Sequence, residues 1–142
     1  MDNVLIAIDS SESSFWLAFY ALGLTRRVKA NVSILMVVDQ ELMEQSGEDD
    51  EWIGLPERRL ESLIAEESSD RARIPYYVAH GSLEQEILHF VQENAVTILV
   101  IAKPSGKDPK RTRRFLEMLE RISKQTSCHI EVVQKVLAQR ER

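Results

Sequence analysis

Three predominantly apolar runs constrain the fold of this chain more than any other feature. They are Val4–Ile8, Val32–Val38 and Ile98–Ala102. Because none of them alternates between apolar and polar residues, each is expected to form a strand that is covered on both faces of a sheet. Each run is far shorter than the roughly 20 apolar residues that span a bilayer, so no membrane insertion is expected.

Two further segments are predicted to be strands at the edges of the same sheet. Ile74–Ala79 contains Pro75, which lacks the N–H group that a central strand must donate. Cys128–Val133 interleaves His129 and Glu131 with apolar residues, which is typical of a more exposed strand.

Amphipathic helices are predicted between these strands. Their signals are the apolar face of Ser13–Val28, Pro56 at a first helical position, Ser82 as an N-cap, and the stripe Phe115, Leu119 and Ile122. The alternation of strands and helices predicts an α/β fold, a three-layer sandwich with a parallel sheet between two layers of helices. We expect one domain over residues 1–142 that ends in a polar tail at residues 135–142.

Composition restricts the compartment and the partners. The chain has a single cysteine, Cys128, and no export signal around Val4–Ile8, so a cytoplasmic protein is expected. A net charge of −5 argues against general binding of nucleic acid. Cys128 and His129 are strand neighbours that point to opposite faces, and no Cys or His cluster has metal-ligand spacing, so neither a catalytic residue nor a metal site is predicted.

The charges are distributed unevenly along the chain. Between Asp39 and Asp70, twelve acidic residues accompany two basic ones, whereas six basic residues between Lys103 and Arg114 accompany only Asp108. Both segments follow predicted strands, where the ligands of parallel sheets bind. Two interpretations stay open for the acidic loop (residues 39–51) and the basic loop (residues 103–114). The loops neutralise each other or are solvated, or they recognise a ligand or a macromolecular partner.

Four stretches together resemble the universal stress protein family. They are Asn3–Ser14, Ala21–Val38, Val78–Leu88 and Val96–Ala102. The resemblance implies a five-stranded sheet in the order 3-2-1-4-5 and a homodimer, for which the strand at residues 128–133 offers an open edge. Competing classes lack their motifs: Asp9–Ser14 contains no glycine, as a dinucleotide-binding or P-loop segment would require.

Many members of that family bind ATP through a Gly-x2-Gly-x9-Gly-Ser/Thr motif after the fourth strand. On this chain its defined positions fall on Lys103, Gly106, Leu116 and Glu117. Leu116 introduces a side chain where the backbone should approach phosphate, and Glu117 introduces a negative charge. The resemblance therefore implies a member that does not use ATP, and no cofactor is predicted.

Two other contacts of the family would be retained. Asp9 matches the acidic residue that ends the first strand, and Val37 matches a position that contacts adenine. Local hydrogen bonding explains Asp9 equally, and core packing explains Val37. The lysines of the basic loop could serve as point charges for a phosphate. The predicted ligand cleft thus comprises Asp9, Val37, Lys103, Gly106, Lys107 and Lys110.

The leading hypothesis is a non-catalytic regulatory or stress-response module that acts through dimerisation or a protein partner. The alternative is a sensor that binds a phosphorylated small molecule, such as a nucleotide or cyclic dinucleotide, through the basic loop. A third role, as a cytosolic accessory of a membrane transporter, rests on family analogy alone.

Overall fold

The computed structural model describes residues 1–45, 52–67, 74–104 and 108–134. In chain order its elements are β1 (Asp2–Asp9), α1 (Glu12–Arg27), β2 (Ala30–Val38), α2 (Gln40–Gln45), α3 (Pro56–Glu67), β3 (Tyr76–His80), α4 (Leu83–Glu93), β4 (Ile98–Ala102), α5 (Pro109–Gln125) and β5 (His129–Val133). The predicted polar tail, residues 135–142, lies outside the described residues.

The strands form one sheet in the order β3-β2-β1-β4-β5. All neighbouring strands are parallel, and β1 at the centre pairs with β2 from Asp2↔Ala30 to Asp9↔Val37. The predicted fold class and strand order are therefore confirmed. The two segments predicted to lie at edges, β3 and β5, occupy the edges, and Pro75 precedes β3 without having to donate an N–H group to the sheet.

Alternate residues of the central strands enter two separate cores, one on each face of the sheet. On one face Ile6 and Ile34 pack with Leu60 of α3 and with α1. On the other face Leu5 and Leu99 pack with α4 and α5. This arrangement explains the three predominantly apolar runs, because both faces of each central strand are covered.

Side-chain caps fix where three helices begin. Ser11 caps α1 by accepting a hydrogen bond from the Ser14 N–H group at 3.1 Å. Ser82 caps α4 in the same way through the Gln85 N–H group at 3.3 Å, as the sequence predicts. Asp108 caps α5 and is followed by Pro109, the residue type preferred at a first helical position.

Both charged loops contain helix that the sequence analysis did not predict. The basic segment is helical from Pro109 onward, so the prediction of a loop through residue 114 is wrong. The acidic segment contains α2, which has no buried residue and therefore no apolar stripe to reveal it. None of the described helices is long and apolar enough to cross a membrane.

Candidate functional site

A cleft of about 180 Å³ opens beyond the carboxyl ends of β1 and β4, where strand order reverses. Four parts of the chain line it: the β1–α1 connection, the start of α2, the start of α4, and the segment from the end of β4 into α5. We call it the β1–β4 cleft. Its lining combines apolar side chains, among them those of Ala7, Ile101 and Phe115, with several charged ones.

Asp9 ends β1 at the floor of the β1–β4 cleft. Its Oδ1 atom accepts hydrogen bonds from the Ser11 N–H group at 2.8 Å and from the Ser11 hydroxyl at 2.5 Å. Its own N–H group donates to Ser14 Oγ at 3.1 Å. Burial of the carboxyl group raises the pKa of Asp9, and the Ser11 hydrogen bonds and the Arg111 charge oppose that rise.

Besides Arg121, the basic side chains of Lys103, Arg111 and Arg114 line the cleft. Lys103 follows β4, and its N–H group donates to the Val133 carbonyl at 2.8 Å, which holds the start of this segment against β5. Arg111 lies in the first turn of α5 and is only 8% exposed, while Arg114 lies one turn further along at the exposed rim. The positive charge of Arg111 acts to lower the pKa of Asp9, so a guanidinium group and a carboxyl group interact at the floor of the cleft.

Asp39 joins two helix starts on the opposite side of the cleft. Its Oδ1 atom accepts from the Leu42 N–H group of α2 at 3.0 Å. Its Oδ2 atom accepts from the Leu83 N–H group of α4 at 2.8 Å. Since each oxygen satisfies a backbone donor that has no intrahelical partner, this carboxylate serves the fold.

A bidentate ion pair connects α4 with α5 at the cleft wall. Arg121 donates to Glu84 Oε1 through Nη2 at 2.8 Å and to Oε2 through Nε at 3.0 Å. These hydrogen bonds raise the pKa of Arg121 above its ordinary value. The two side chains pair in the bidentate geometry that guanidinium and carboxylate groups favour, so their charges neutralise each other.

The structure brings only part of the predicted ligand cleft together. Asp9 and Lys103 line the β1–β4 cleft. Val37 is fully buried in the core beneath α4 and α5, and Lys110 is exposed on α5 and does not line the cleft. The remaining two predicted positions, Gly106 and Lys107, lie outside the described residues.

Sequence reasoning missed Arg111 and Arg114 as cleft residues, although it counted them in the basic loop. A signal was present, because Arg111 lies four residues before Phe115 and so shares the buried face of the last helix. Extending the apolar stripe of α5 backward by one turn places an arginine at the cleft.

Neither the three histidines nor the cysteine lines the β1–β4 cleft. His80 faces Glu57 at 3.4 Å, His89 faces Glu93 at 3.2 Å, and His129 faces Glu131 at 2.6 Å. Cys128 instead contacts the Thr126 hydroxyl at 3.2 Å. Within the described ranges, no group of three His, Cys, Asp or Glu side chains is arranged to hold a metal ion.

An all-parallel sheet in the order 3-2-1-4-5, with a polar cleft at the reversal of strand order, defines a doubly wound α/β domain. Within this class, the chain belongs to the universal stress protein family, whose model matches residues 1–134. The resemblance seen in the sequence is thereby confirmed. Among curated proteins, the sequence finds no significant match.

Solved structures share this fold at low sequence identity. The hypothetical protein MJ0577, whose biochemical function was assigned from its structure, is 16% identical with a TM-score of 0.63, over 96% of this chain and 98% of that one. A universal stress protein in complex with cAMP is 12% identical with a TM-score of 0.63, over 93% and 95%. The universal stress protein UspA from Lactobacillus plantarum is 15% identical with a TM-score of 0.57, over 93% and 97%.

Proposed function

We propose that this universal stress protein is a non-catalytic regulatory module that does not bind ATP in the manner of its family. It acts by binding, through dimerisation along the β5 edge or through a protein partner such as a transporter. None of the three histidines lines the β1–β4 cleft, which leaves the Asp9 carboxyl group as a candidate general acid or base there.

One observation carries the proposal on ATP. The third glycine and the hydroxyl residue of the family motif fall on Leu116 and Glu117, in the middle of α5. The N–H group of a residue inside a helix is bound to the carbonyl four residues earlier, so it cannot also cradle a phosphate. The Leu116 side chain is 54% exposed on that helix, where a glycine would have presented bare backbone.

Calorimetric titration with Mg-ATP, together with an assay of phosphate release, tests this proposal. We expect neither saturable heat nor hydrolysis above the rate without protein. Hydrolysis that is abolished by Asp9→Ala would contradict the proposal, because it would place a catalytic carboxylate at the floor of the cleft. A circular dichroism melt of the variant controls for loss of the fold.

A second candidate function is a sensor for a phosphorylated small molecule. The basic side chains Lys103, Arg111 and Arg114 at the β1–β4 cleft favour it, since lysine and arginine are the usual protein ligands of phosphate. That a universal stress protein of the same fold binds cAMP supports it as well.

Thermal-shift titrations with AMP, cAMP and cyclic dinucleotides, at low and at high salt, distinguish the two candidates. A saturable rise in melting temperature with one compound would favour the sensor, because a ligand that binds only the folded state stabilises it by mass action. The absence of any rise would leave the binding of protein partners as the function.

A further inference from the structure

We infer that the outer edge of β3 binds an extended, lysine-containing segment of a partner protein, which pairs with β3 as an additional strand. This inference rests on the proposed regulatory function, in which the chain acts through a protein partner, and adds the surface and the chemistry of that partner. Backbone groups, an apolar groove, a strained leucine and the charges beside the edge each contribute to it.

The backbone of β3 presents hydrogen-bonding groups away from the sheet. Among the described residues, β3 pairs only with β2. Pro75 and Gly81 flank β3 and both bond to β2, the carbonyl of Pro75 at 3.0 Å and the N–H group of Gly81 at 3.1 Å. A parallel ladder uses every second residue of a strand, so the N–H and carbonyl groups that face outward are those of Tyr76, Val78 and His80. Groups of this kind bind an added strand.

An open groove of about 470 Å³ lies beside this edge and is lined by β3, by α3 and by the residue before α3. Tyr76 and Val78 line it from β3, and Leu55 lines it from the residue before α3. The side chain of Leu55 is 68% exposed. Residues of an added strand that lie opposite Tyr76 and Val78 share their face of the sheet, so apolar side chains at those positions would cover Leu55.

Leu55 is held in a backbone conformation that leucine rarely adopts. Its φ of 52° lies in the left-handed region, which is unfavourable for a residue with a Cβ atom. Leu55 therefore combines a strained backbone with an exposed apolar side chain, and neither feature stabilises the free protein. Backbone strain of this kind is concentrated at positions that bind ligands. A partner that covers the Leu55 side chain would account for both features.

The charges beside the β3 edge favour a basic partner. Glu57, Arg58 and Glu61 line the groove, and the Glu86 side chain packs against the glycine that follows β3. Glu57 also faces His80 at 3.4 Å. Even with a protonated His80, these three carboxylates outnumber the two cations, so lysine in the partner is better matched than glutamate.

Tyr77 provides exposed aromatic surface on the α4 side of the same edge. It is 47% exposed, and the centre of its ring lies 5.2 Å from that of Phe90. An aromatic face attracts the ammonium group of lysine and packs against its aliphatic stem. A partner strand with apolar residues over the groove and lysines over Tyr77 alternates between the two residue types.

Fluorescence anisotropy with a labelled peptide of about seven residues that alternates lysine and valine tests the inference on the full chain, at about 0.15 M salt. We expect saturable binding, and binding weaker by about tenfold or more when glutamate replaces lysine. Two N-methylated forms test the backbone. Methylation of every second N–H group in one frame blocks the edge that pairs with β3 and should abolish binding, whereas methylation in the other frame should change it by less than about threefold.

A matched pair of variants tests the role of Leu55. Asparagine tolerates the left-handed conformation better than leucine, so Leu55→Asn should not lower the melting temperature, yet it should weaken binding of the lysine–valine peptide by about fivefold or more. Leu116→Asn replaces another leucine, 54% exposed on α5 and away from the groove, and should change binding by less than about twofold. Circular dichroism melts measure the stability of both. Should Leu55→Asn fail to fold, the two N-methylated peptides still test the inference on the unmodified protein.

Four outcomes would overturn the inference. They are no binding of the lysine–valine peptide, equal losses from the two N-methylated forms, equal losses in Leu55→Asn and Leu116→Asn, and conversion of a dimer into a monomer by Leu55→Asn, which would make β3 an interface between copies. The proposed function fails separately. Hydrolysis of ATP would contradict the regulatory module even if the peptide binds, and dimerisation along β5 would support the module even if no peptide binds.

Discussion

At the scale of single residues, the buried carboxyl group of Asp9 makes the stability of the fold depend on pH. Burial raises its pKa above the ordinary value of 3.8, so ionisation of this carboxyl group opposes folding. Between 3.8 and the raised pKa, the folded chain holds a proton that the unfolded chain has lost. The contribution of Asp9 to stability is therefore complete below 3.8 and is lost as pH rises through the raised pKa.

Asp9→Asn should remove this pH dependence while keeping an oxygen that accepts from Ser11. We expect the melting temperature of the variant, relative to the unmodified protein, to increase as pH rises from about 4 to 7. Thermal melts across that range, with the exposed Glu120→Gln as control, measure the difference. A relative melting temperature that falls with pH would show instead that Ser11 and Arg111 stabilise the ionised carboxylate.

The sequence predicts individual residues well where their interactions are local. The hydrogen bonds between Ser11 and Asp9 join residues two positions apart, and they follow from an Asp and a hydroxyl residue at the end of a strand. Asp9 and Arg111 interact although they lie about a hundred positions apart in the sequence. It depends on the placement of α5 against the sheet, which the sequence does not specify residue by residue.

At the scale of secondary-structure elements, one carboxylate connects three of them. Asp39 follows β2 and accepts from the first turns of both α2 and α4. Asp39→Ala leaves the Leu42 and Leu83 N–H groups without their acceptor, and we expect a loss of about 1–2 kcal/mol in the free energy of unfolding. Urea denaturation measures this loss.

The neighbouring exposed carboxylate provides the control for that experiment. Glu41→Ala removes the same charge from the first turn of α2, where the Glu41 carboxylate accepts a hydrogen bond from Gln45 at 3.4 Å. If Asp39→Ala and Glu41→Ala destabilise the protein equally, the bridge between the two helices contributes nothing. Asp39→Asn, which keeps one acceptor oxygen, should fall between Asp39→Ala and the unmodified protein.

Elements with an apolar stripe are predictable from the sequence, and those without one are not. The short apolar runs of β1, β2 and β4 favour central strands, because a strand that is buried on both faces shows no alternation between apolar and polar residues. For α5, Asp108 and Pro109 form a start signal that was present in the sequence but was treated as part of a loop. For α2 no stripe exists to be found.

At the scale of the whole molecule, the order of the strands was predicted from the family resemblance and not from the patterns of the strands themselves. Pro75 and the polar residues of Cys128–Val133 identify two edges. They do not determine which of the three inner strands is central. That order depends on how each crossover connection packs, which is a property of the assembled sheet.

The proposed dimerisation along β5 depends on the backbone groups at the outer edge of that strand. The His129 N–H group donates to the Thr97 carbonyl at 2.9 Å, and the Val133 carbonyl accepts from Lys103 at 2.8 Å. Because successive residues of a strand direct their backbone groups to alternate sides, those of Ile130 and Val132 point away from β4. Among the residues that the structure describes, no further strand pairs with this edge, and edge groups of this kind are a template for pairing with a second chain.

Val132→Pro should therefore convert a dimer into a monomer without unfolding the protein. Proline removes an N–H group that faces the open edge, while the hydrogen bonds from β5 to β4 involve the alternate residues. Val132→Thr keeps the donor at the same 46% exposed position and should remain dimeric. Sedimentation equilibrium at high micromolar concentration separates the two states. If Val132→Pro stays dimeric with an unchanged melting curve, the copies associate through another surface, and if the unmodified protein is monomeric, β5 is not an interface between copies.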